Sequence, residues 1–149
     1  GSLGHAVLEK AANEQWQLDI KETLIHFAPI YRINENNALS LAPQLTAALC
    51  LAQEHTASAD RLHTEVPFLL QVDHQLIDGT IDLIASYAKK LVIYDYKFTA
   101  SDPNELTARY HQQLALYEKA AQKLFPEIEE IEKQLLVIPR STEPFLLSL

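Results

Sequence analysis

The 149-residue chain has no methionine and a single cysteine, Cys50. One thiol excludes an internal disulfide. It also excludes any zinc or iron–sulfur centre built from several cysteines, so a metal here would be held by oxygen and imidazole, with no iron–sulfur cluster. No stretch approaches the roughly 20 uninterrupted apolar residues of a membrane span. The N-terminus also lacks a basic segment followed by an apolar signal core, so a cytoplasmic protein with no membrane partner is expected. Cations are scarce: 12 Lys and Arg face 20 Asp and Glu, for a net charge of −8. That balance excludes a protein that coats nucleic acid through clustered basic residues, while leaving room for a local cationic groove. The missing methionine, the Gly1-Ser2 start and the stop after Phe145-Leu146-Leu147 suggest a piece of a longer protein, with Gly1-Ser2 either a cloning remnant or native.

An apolar fraction of 48% is ample for a packed core at this length, and one domain spanning 1–149 is expected. Leu3, Val7, Leu8, Ala11 and Ala12 recur at helical spacing. Further apolar-periodic segments run from Leu18 to Phe27 and from Leu41 to Gln53, with Asn34–Asn37 read as a polar loop. After Asp60 the character changes. Segments 62–71, 75–86 and 91–98 have strand lengths and compositions, separated by Asp73-His74 and by residues 87–90, which predicts an antiparallel three-strand meander. Asp102-Pro103-Asn104-Glu105 is a helix start, with Asp102 as cap and Pro103 at the first position. The helix should run to about Phe125. The acidic stretch Glu127–Glu132 then separates it from a fourth strand, 134–138. The expected class is α/β: N-terminal helices, a central mixed sheet, and a long helix leading to a further strand.

Two strands each carry an aspartate among apolar neighbours, in Thr80-Ile81-Asp82-Leu83-Ile84 and Ile93-Tyr94-Asp95-Tyr96-Lys97. If residues 87–90 form a four-residue loop, Ser86 faces Leu91, Ile84 faces Ile93, and Asp82 faces Asp95. Opposed Cβ atoms lie roughly 4.5 to 5.5 Å apart, where like charges repel. A shared hard cation would remove that repulsion. Lys97 shares the face of Asp95, because side chains two apart in a strand point the same way. The plainer reading makes Asp95 and Lys97 an edge-strand ion pair. For Asp-x-Lys alone that reading is preferable, but it is weaker for Asp82 held in register with Asp95.

Gly79-Thr80-Ile81-Asp82-Leu83-Ile84, followed by Asp95-Tyr96-Lys97, resembles the core of the PD-(D/E)xK nucleases, in particular the RecB-like domains of bacterial helicase–nucleases of the RecB and AddA kind. Three more elements stand in the family's order. Gly4-His5 sits on an early helix, Glu65-Val66-Pro67-Phe68 precedes the core strands, and Gln113-Leu114-Ala115-Leu116-Tyr117 lies on the helix after Asp-x-Lys. One departure is visible: Phe98 intervenes between Lys97 and Thr99, where the family usually has Thr or Ser next to the lysine.

The resemblance implies a restriction-endonuclease-like core and divalent-metal-dependent phosphodiester hydrolysis. Asp82 and Asp95 would hold Mg²⁺, with Mn²⁺ as an alternative, and the carbonyl of Tyr96 and the imidazole of His5 as further contacts. The ion polarises the scissile phosphate and acidifies the attacking water. Lys97 would orient that water and stabilise the charge that develops. Gln113 and Tyr117, four apart on one helical face, would hold Lys97 or the substrate phosphate. Arg109 on that face is a weaker candidate for backbone contact, Glu65 an indirect or additional metal contact, and Glu9 a partner for His5. In the plainer alternatives His5 is an ordinary helical histidine and the 109–113–117 face merely packs on the sheet. Histidines 26, 55, 63, 74 and 111 are read as structural or solvent-facing.

The implied function is a DNA nuclease, acting on single-stranded DNA within a larger helicase–nuclease that processes double-strand breaks. Its partners would be the helicase portion of the same polypeptide and a partner subunit. A different class of function is a catalytically inactive module that binds DNA ends or docks a repair protein. The complete acid–acid–lysine set argues against that.

Overall fold

The computed structural model describes residues 2–149; Gly1, and with it half of the Gly1-Ser2 question, lies outside the described residues. Four helices come first: α1 (Ser2–Asn13), α2 (Ile20–Phe27), α3 (Glu35–Leu39) and α4 (Ala42–Thr56). Strands β1 (Arg61–Val72), β2 (Gln75–Ser86) and β3 (Lys90–Lys97) follow, then helix α5 (Pro103–Leu124) and strands β4 (Glu130–Val137) and β5 (Phe145–Ser148). The five strands lie in sequence order in one mixed sheet. Among the described residues only β3 and β4 pair in parallel, because α5 carries the chain back to the same end of the sheet.

The predicted apolar stripe of α1 is buried along its whole length, from Leu3 through Ala12. Asp102 caps α5 as expected, its side chain accepting the Asn104 N–H at 2.6 Å. Asp73 and His74 both have positive φ, the two-residue turn that matches the twist of a β-hairpin.

Two expectations need correction, and one element is added. The polar run at Asn34–Asn37 is the start of a helix: Asn34 Oδ1 accepts the Asn37 N–H at 2.8 Å, so the loop-like composition marks an N-cap and a first turn. The acidic stretch does not merely separate α5 from the fourth strand, since β4 begins at Glu130. Lys90, paired with Glu130 in the ladder, reaches Glu130 at 3.7 Å and Glu132 at 2.7 Å. Finally, the apolar run at 145–147 is a fifth strand, antiparallel to β4.

Two apolar layers sandwich the sheet. Helices α1–α4 bury Leu83, Ala85, Val92, Tyr94 and Tyr96 on one face. On the other, α5 buries Ile81, Ile84, Leu91, Ile93, Leu135 and Val137. Among the described residues no helix is long and apolar enough to cross a membrane.

Candidate active site

The β2–β3 ladder runs from Ser86↔Leu91 through Ile84↔Ile93 to Leu83↔Tyr94 and stops there. The next step would set Asp82 opposite Asp95. At that point the Asp82 side chain takes over from the backbone, its Oδ2 accepting the Tyr96 N–H at 2.8 Å. The β1–β2 ladder is interrupted at the same level. Pairing passes from Thr64↔Leu83 to Val66↔Ile81, skipping Glu65 and Asp82, and Glu65 has a φ of 46°, in the left-handed region that residues with a Cβ avoid. Residues two apart in a regular strand share a face. Yet Ile81 packs in the α5-side core and Leu83 in the opposite one. A kink across both strands therefore sits at Asp82, which is how a carboxylate interrupts an apolar strand. Asp95 stands in the regular β3 alternation, on the α5 side with Ile93.

Both carboxylates are buried, Asp82 to 9% exposure and Asp95 to 3%. Burial raises the proton affinity of each, but their partners differ. At Asp82 the His5 imidazole, the Tyr96 amide and a hydrogen bond from Asp95 outweigh burial and hold the carboxyl below its usual value. At Asp95 burial and the Asp82 charge push the carboxyl up to about 6, against the pull of Lys97. The like-charge penalty of the pair therefore falls on Asp95.

Helix α1 supplies His5, whose Nε2 lies 3.0 Å from the Tyr96 carbonyl oxygen and 3.6 Å from Asp82 Oδ2. The His5 ring also packs against Phe98, centroids 5.2 Å apart. Gly4 makes this possible, because a Cβ there would collide with the Phe98 ring. Phe98, the departure from the family pattern, therefore serves as packing that joins the end of β3 to α1. A cavity of about 540 Å³ opens beside His5 and is also lined by Ser2, Glu9, Tyr31 and Glu65. Burial, then the charges of Asp82 and Glu9, raise the Glu65 carboxyl, partly offset by His5.

On the other side Lys97 Nζ lies 2.8 Å from Asp95 Oδ2, a charge contact out of hydrogen-bond alignment, so that buried oxygen has no hydrogen bond. The ammonium also sits 4.2 Å from the centre of the Tyr110 ring. Gln113 Oε1 is buried and unbonded. Tyr117 is buried edge-on against Phe68, centroids 5.6 Å apart. Arg109 is exposed at the rim, its guanidinium carbon 5.9 Å from the Tyr110 ring.

The structure thus brings His5, Glu65, Asp82, Asp95, Tyr96 and Lys97 to one place, with Gln113 and Tyr117 on the helix beneath. What lies on Lys97 is Asp95 and Tyr110; no hydrogen bond joins it to Gln113 or Tyr117. Tyr110 was missed by sequence reasoning, although its position three before Gln113 and seven before Tyr117 puts it on the same helical face. Of the remaining histidines, His63 is half-buried, 3.3 Å from Ser86 Oγ and edge-on to Phe125, and the others are exposed.

Among the described residues no three His, Cys, Asp or Glu side chains converge to hold an ion unaided. The oxygens on offer are the two carboxylates and the Tyr96 carbonyl, a donor set suited to a hard cation that keeps part of its water. Asp95 Oδ2 meets Lys97 out of hydrogen-bond alignment and the Asp95 carboxyl is raised by burial and by Asp82, so further positive charge is favoured here and these residues fit such an ion. His5 Nε2 is engaged by the Tyr96 carbonyl, and contact with a cation would require it to give up that bond.

The profile of the PD-(D/E)XK nuclease superfamily matches residues 1–144. An ATP-dependent helicase/nuclease subunit of Streptococcus pneumoniae (strain Hungary19A-6) is 39% identical over 95 residues, covering 59% of this chain and 8% of that protein. The same figures hold for the exonuclease/helicase subunit RexA of Streptococcus pneumoniae serotype 4. The corresponding helicase/nuclease subunit of Streptococcus agalactiae serotype Ia is 29% identical over 150 residues, 92% of this chain and 12% of that one. The chain therefore spans about a tenth of the length of these relatives. A mixed five-stranded sheet between helices, an acid pair where its ladders open, and a profile match over nearly the whole length agree: the chain belongs to the PD-(D/E)XK nuclease superfamily.

Proposed function

We propose that this chain is a single RecB-like nuclease domain of a longer helicase–nuclease, hydrolysing phosphodiester bonds of single-stranded DNA with Mg²⁺ during double-strand break repair and recombination in the cytoplasm. The observation that carries the reading is the Asp82–Asp95 pair: two buried carboxylates on adjacent strands, with Lys97 against Asp95 and His5, bound to the Tyr96 carbonyl, beside Asp82. The helicase/nuclease names of the relatives support the assignment to a larger machine. So does the net charge of −8: a tethered domain can receive its strand by delivery and need not capture it electrostatically.

In this reading Asp82, Asp95 and the Tyr96 carbonyl hold the ion, with His5 at its edge. A divalent cation bound there polarises the phosphate and acidifies the attacking water. Asp82 enters already ionised and fixed by the Tyr96 amide, so it needs no reorganisation to bind. Asp95, whose carboxyl is raised to about 6 by burial and the Asp82 charge, would be held in its charged form by a cation bound there. Lys97 brings a fixed positive charge to the attacking side, where negative charge grows in the transition state. Gln113 has a free buried acceptor for the lysine or water, Tyr117 packs beneath it, Arg109 meets the strand at the rim, and Glu65 orients His5 and water in the adjoining cavity.

The test is a Mg²⁺ titration of the purified chain with a fluorescent single-stranded oligonucleotide, alongside Lys97→Ala. Metal-dependent shortening by wild type and none by the variant is expected. Binding that ignores metal, with no shortening, would instead indicate a non-catalytic DNA-end or docking module.

A further inference from the structure

Lys97 ends β3, and its side chain is 20% exposed. A lysine side chain has about 2 kcal/mol of rotamer freedom, so a single contact at its tip does not fix it. Among the described residues its charged partner is Asp95, 2.8 Å away, which in the nuclease reading also holds the cation. Whenever Asp95 turns to another partner, the ammonium needs a second hold. The buried Gln113 oxygen is not bonded to it. The face of Tyr110 is in place, 4.2 Å from Nζ and within cation–π range.

Tyr110 is itself fixed. It is half-buried on α5, packed against the apolar layer under the sheet, on the same face as Leu114 and Tyr117. An aromatic face differs from a carboxylate as a seat. It attracts the ammonium through the ring quadrupole without neutralising it, and it occupies no fixed acceptor direction, so N–H groups stay free for a phosphate or water.

We propose that Tyr110 is a positioning residue that seats the Lys97 ammonium on its ring face, holding it aimed at the reacting phosphate independently of Asp95. This rests on the nuclease reading, in which Lys97 acts on the substrate.

The experiment compares Tyr110→Leu, Tyr110→Phe and Lys97→Ala with wild type in two measurements. The first is the ring-current shift of the Lys97 ε-methylene in the metal-free protein, observed with labelled lysine and assigned by its loss in Lys97→Ala. Wild type and Tyr110→Phe should show the upfield shift, and Tyr110→Leu should not. The second is single-strand cleavage. Tyr110→Leu should lower kcat on the order of tenfold, the size of a partly desolvated cation–π contact, with KM within about twofold. Tyr110→Phe should recover most of it, and progressively fluorinated phenylalanines at 110 should lower kcat in step with weakening ring charge. A fluorinated series that is flat in kcat, or a Tyr110→Leu variant with wild-type kcat while Lys97→Ala is dead, overturns the inference. A Lys97→Ala variant that cleaves like wild type, or a wild-type chain that cleaves nothing, overturns the nuclease reading instead. In that case the ring-current shift still decides whether Tyr110 seats Lys97.

Discussion

Asp82 reaches the site from a kink and is met from the α1 side: its carboxylate accepts the Tyr96 amide and lies 3.6 Å from His5, and it is held ionised. Asp95 stands in a regular strand on the α5 side. One of its oxygens has no hydrogen bond, its lysine partner is shared with an aromatic ring, and its carboxyl is pushed up to about 6. Two acids on neighbouring strands are therefore not equivalent. One is a finished structural acceptor that can also bind; the other is an unfinished one, tolerated for what it binds. The like-charge penalty falls on Asp95 and not on Asp82, where the His5 imidazole and the buried Tyr96 N–H outweigh the cost of burial.

Neutralising the unfinished acid should have the largest effect on stability. Asp95→Asn should abolish cleavage yet melt higher than wild type in chelator. Folding raises this carboxyl from 3.8 to about 6, so the charged form is disfavoured in the folded state. Wild type loses stability as pH rises through roughly 4 to 6 and keeps the deficit above that range, and a shift of two units corresponds to about 3 kcal/mol. The gap between variant and wild type should thus be absent below about pH 4 and full above about pH 6.5. Melting curves in chelator from pH 3.5 to 8 give the answer; a gap that grows toward low pH would reverse the assignment of the two acids. Mg²⁺ should raise the melting temperature of wild type and not of Asp95→Asn.

Asp82→Ala should act in the opposite direction. Removing the acceptor leaves the buried Tyr96 N–H unpaired, costing about 1 to 3 kcal/mol, and strips His5 of its carboxylate. Cleavage should be lost together with stability. Because folding lowers this carboxyl, its contribution is present above the unfolded value of 3.8 and is lost as pH falls below it. The difference from wild type should therefore shrink in acid. A variant as stable as wild type at pH 7 would make Asp82 as dispensable to the fold as Asp95.

The two acids also differ in how legible they are. The turn at 87–90 and the alternation of β2 and β3 place Asp82 and Asp95 in register from sequence alone, and the ladder has that register as far as it goes. The kink was not legible, because a positive φ at Glu65 belongs to no residue-type preference and depends on tertiary context. Nor was Tyr110. On an amphipathic helix an aromatic at core spacing reads as packing, and only the distance to Lys97 distinguishes a seat from a filler. Asn34–Asn37 and Glu130–Glu132 misled for one reason, polar runs being ambiguous between loops and the partnered ends of elements. Asn34 caps a helix, and Glu130 and Glu132 meet Lys90.

Each side of the site also rests on a glycine beneath a phenylalanine. On the α5 side Gly79 faces Phe68 across the hairpin, and a Cβ at 79 would come within 2.6 Å of its ring. Phe68 is buried against Tyr117 and has little room to yield, so Gly79→Ala should cost about 1 to 3 kcal/mol by overpacking. Thermal melts in chelator measure this, and a loss under about 0.5 kcal/mol would mean that the arm carrying Phe68 gives way freely.

Gly4→Ala, on the α1 side, should have the smallest effect on stability and still matter to the site. The new methyl collides with the Phe98 ring, but Phe98 is only half-buried and can swing outward. Replacing a helical glycine by alanine also returns about 0.5 to 1 kcal/mol of backbone entropy, which offsets much of the collision. The melting temperature should therefore stay close to that of wild type. His5, however, packs against that same ring and holds the Tyr96 carbonyl through Nε2. Moving Phe98 releases one wall of the imidazole, and cleavage should fall several-fold while Asp95 and Lys97 remain undisturbed. Cleavage rates and melts of Gly4→Ala beside His5→Ala decide the matter. Wild-type cleavage by Gly4→Ala with a clear defect in His5→Ala would show that the imidazole is held by Tyr96 and Asp82 alone, and that Phe98 is a neighbour without influence.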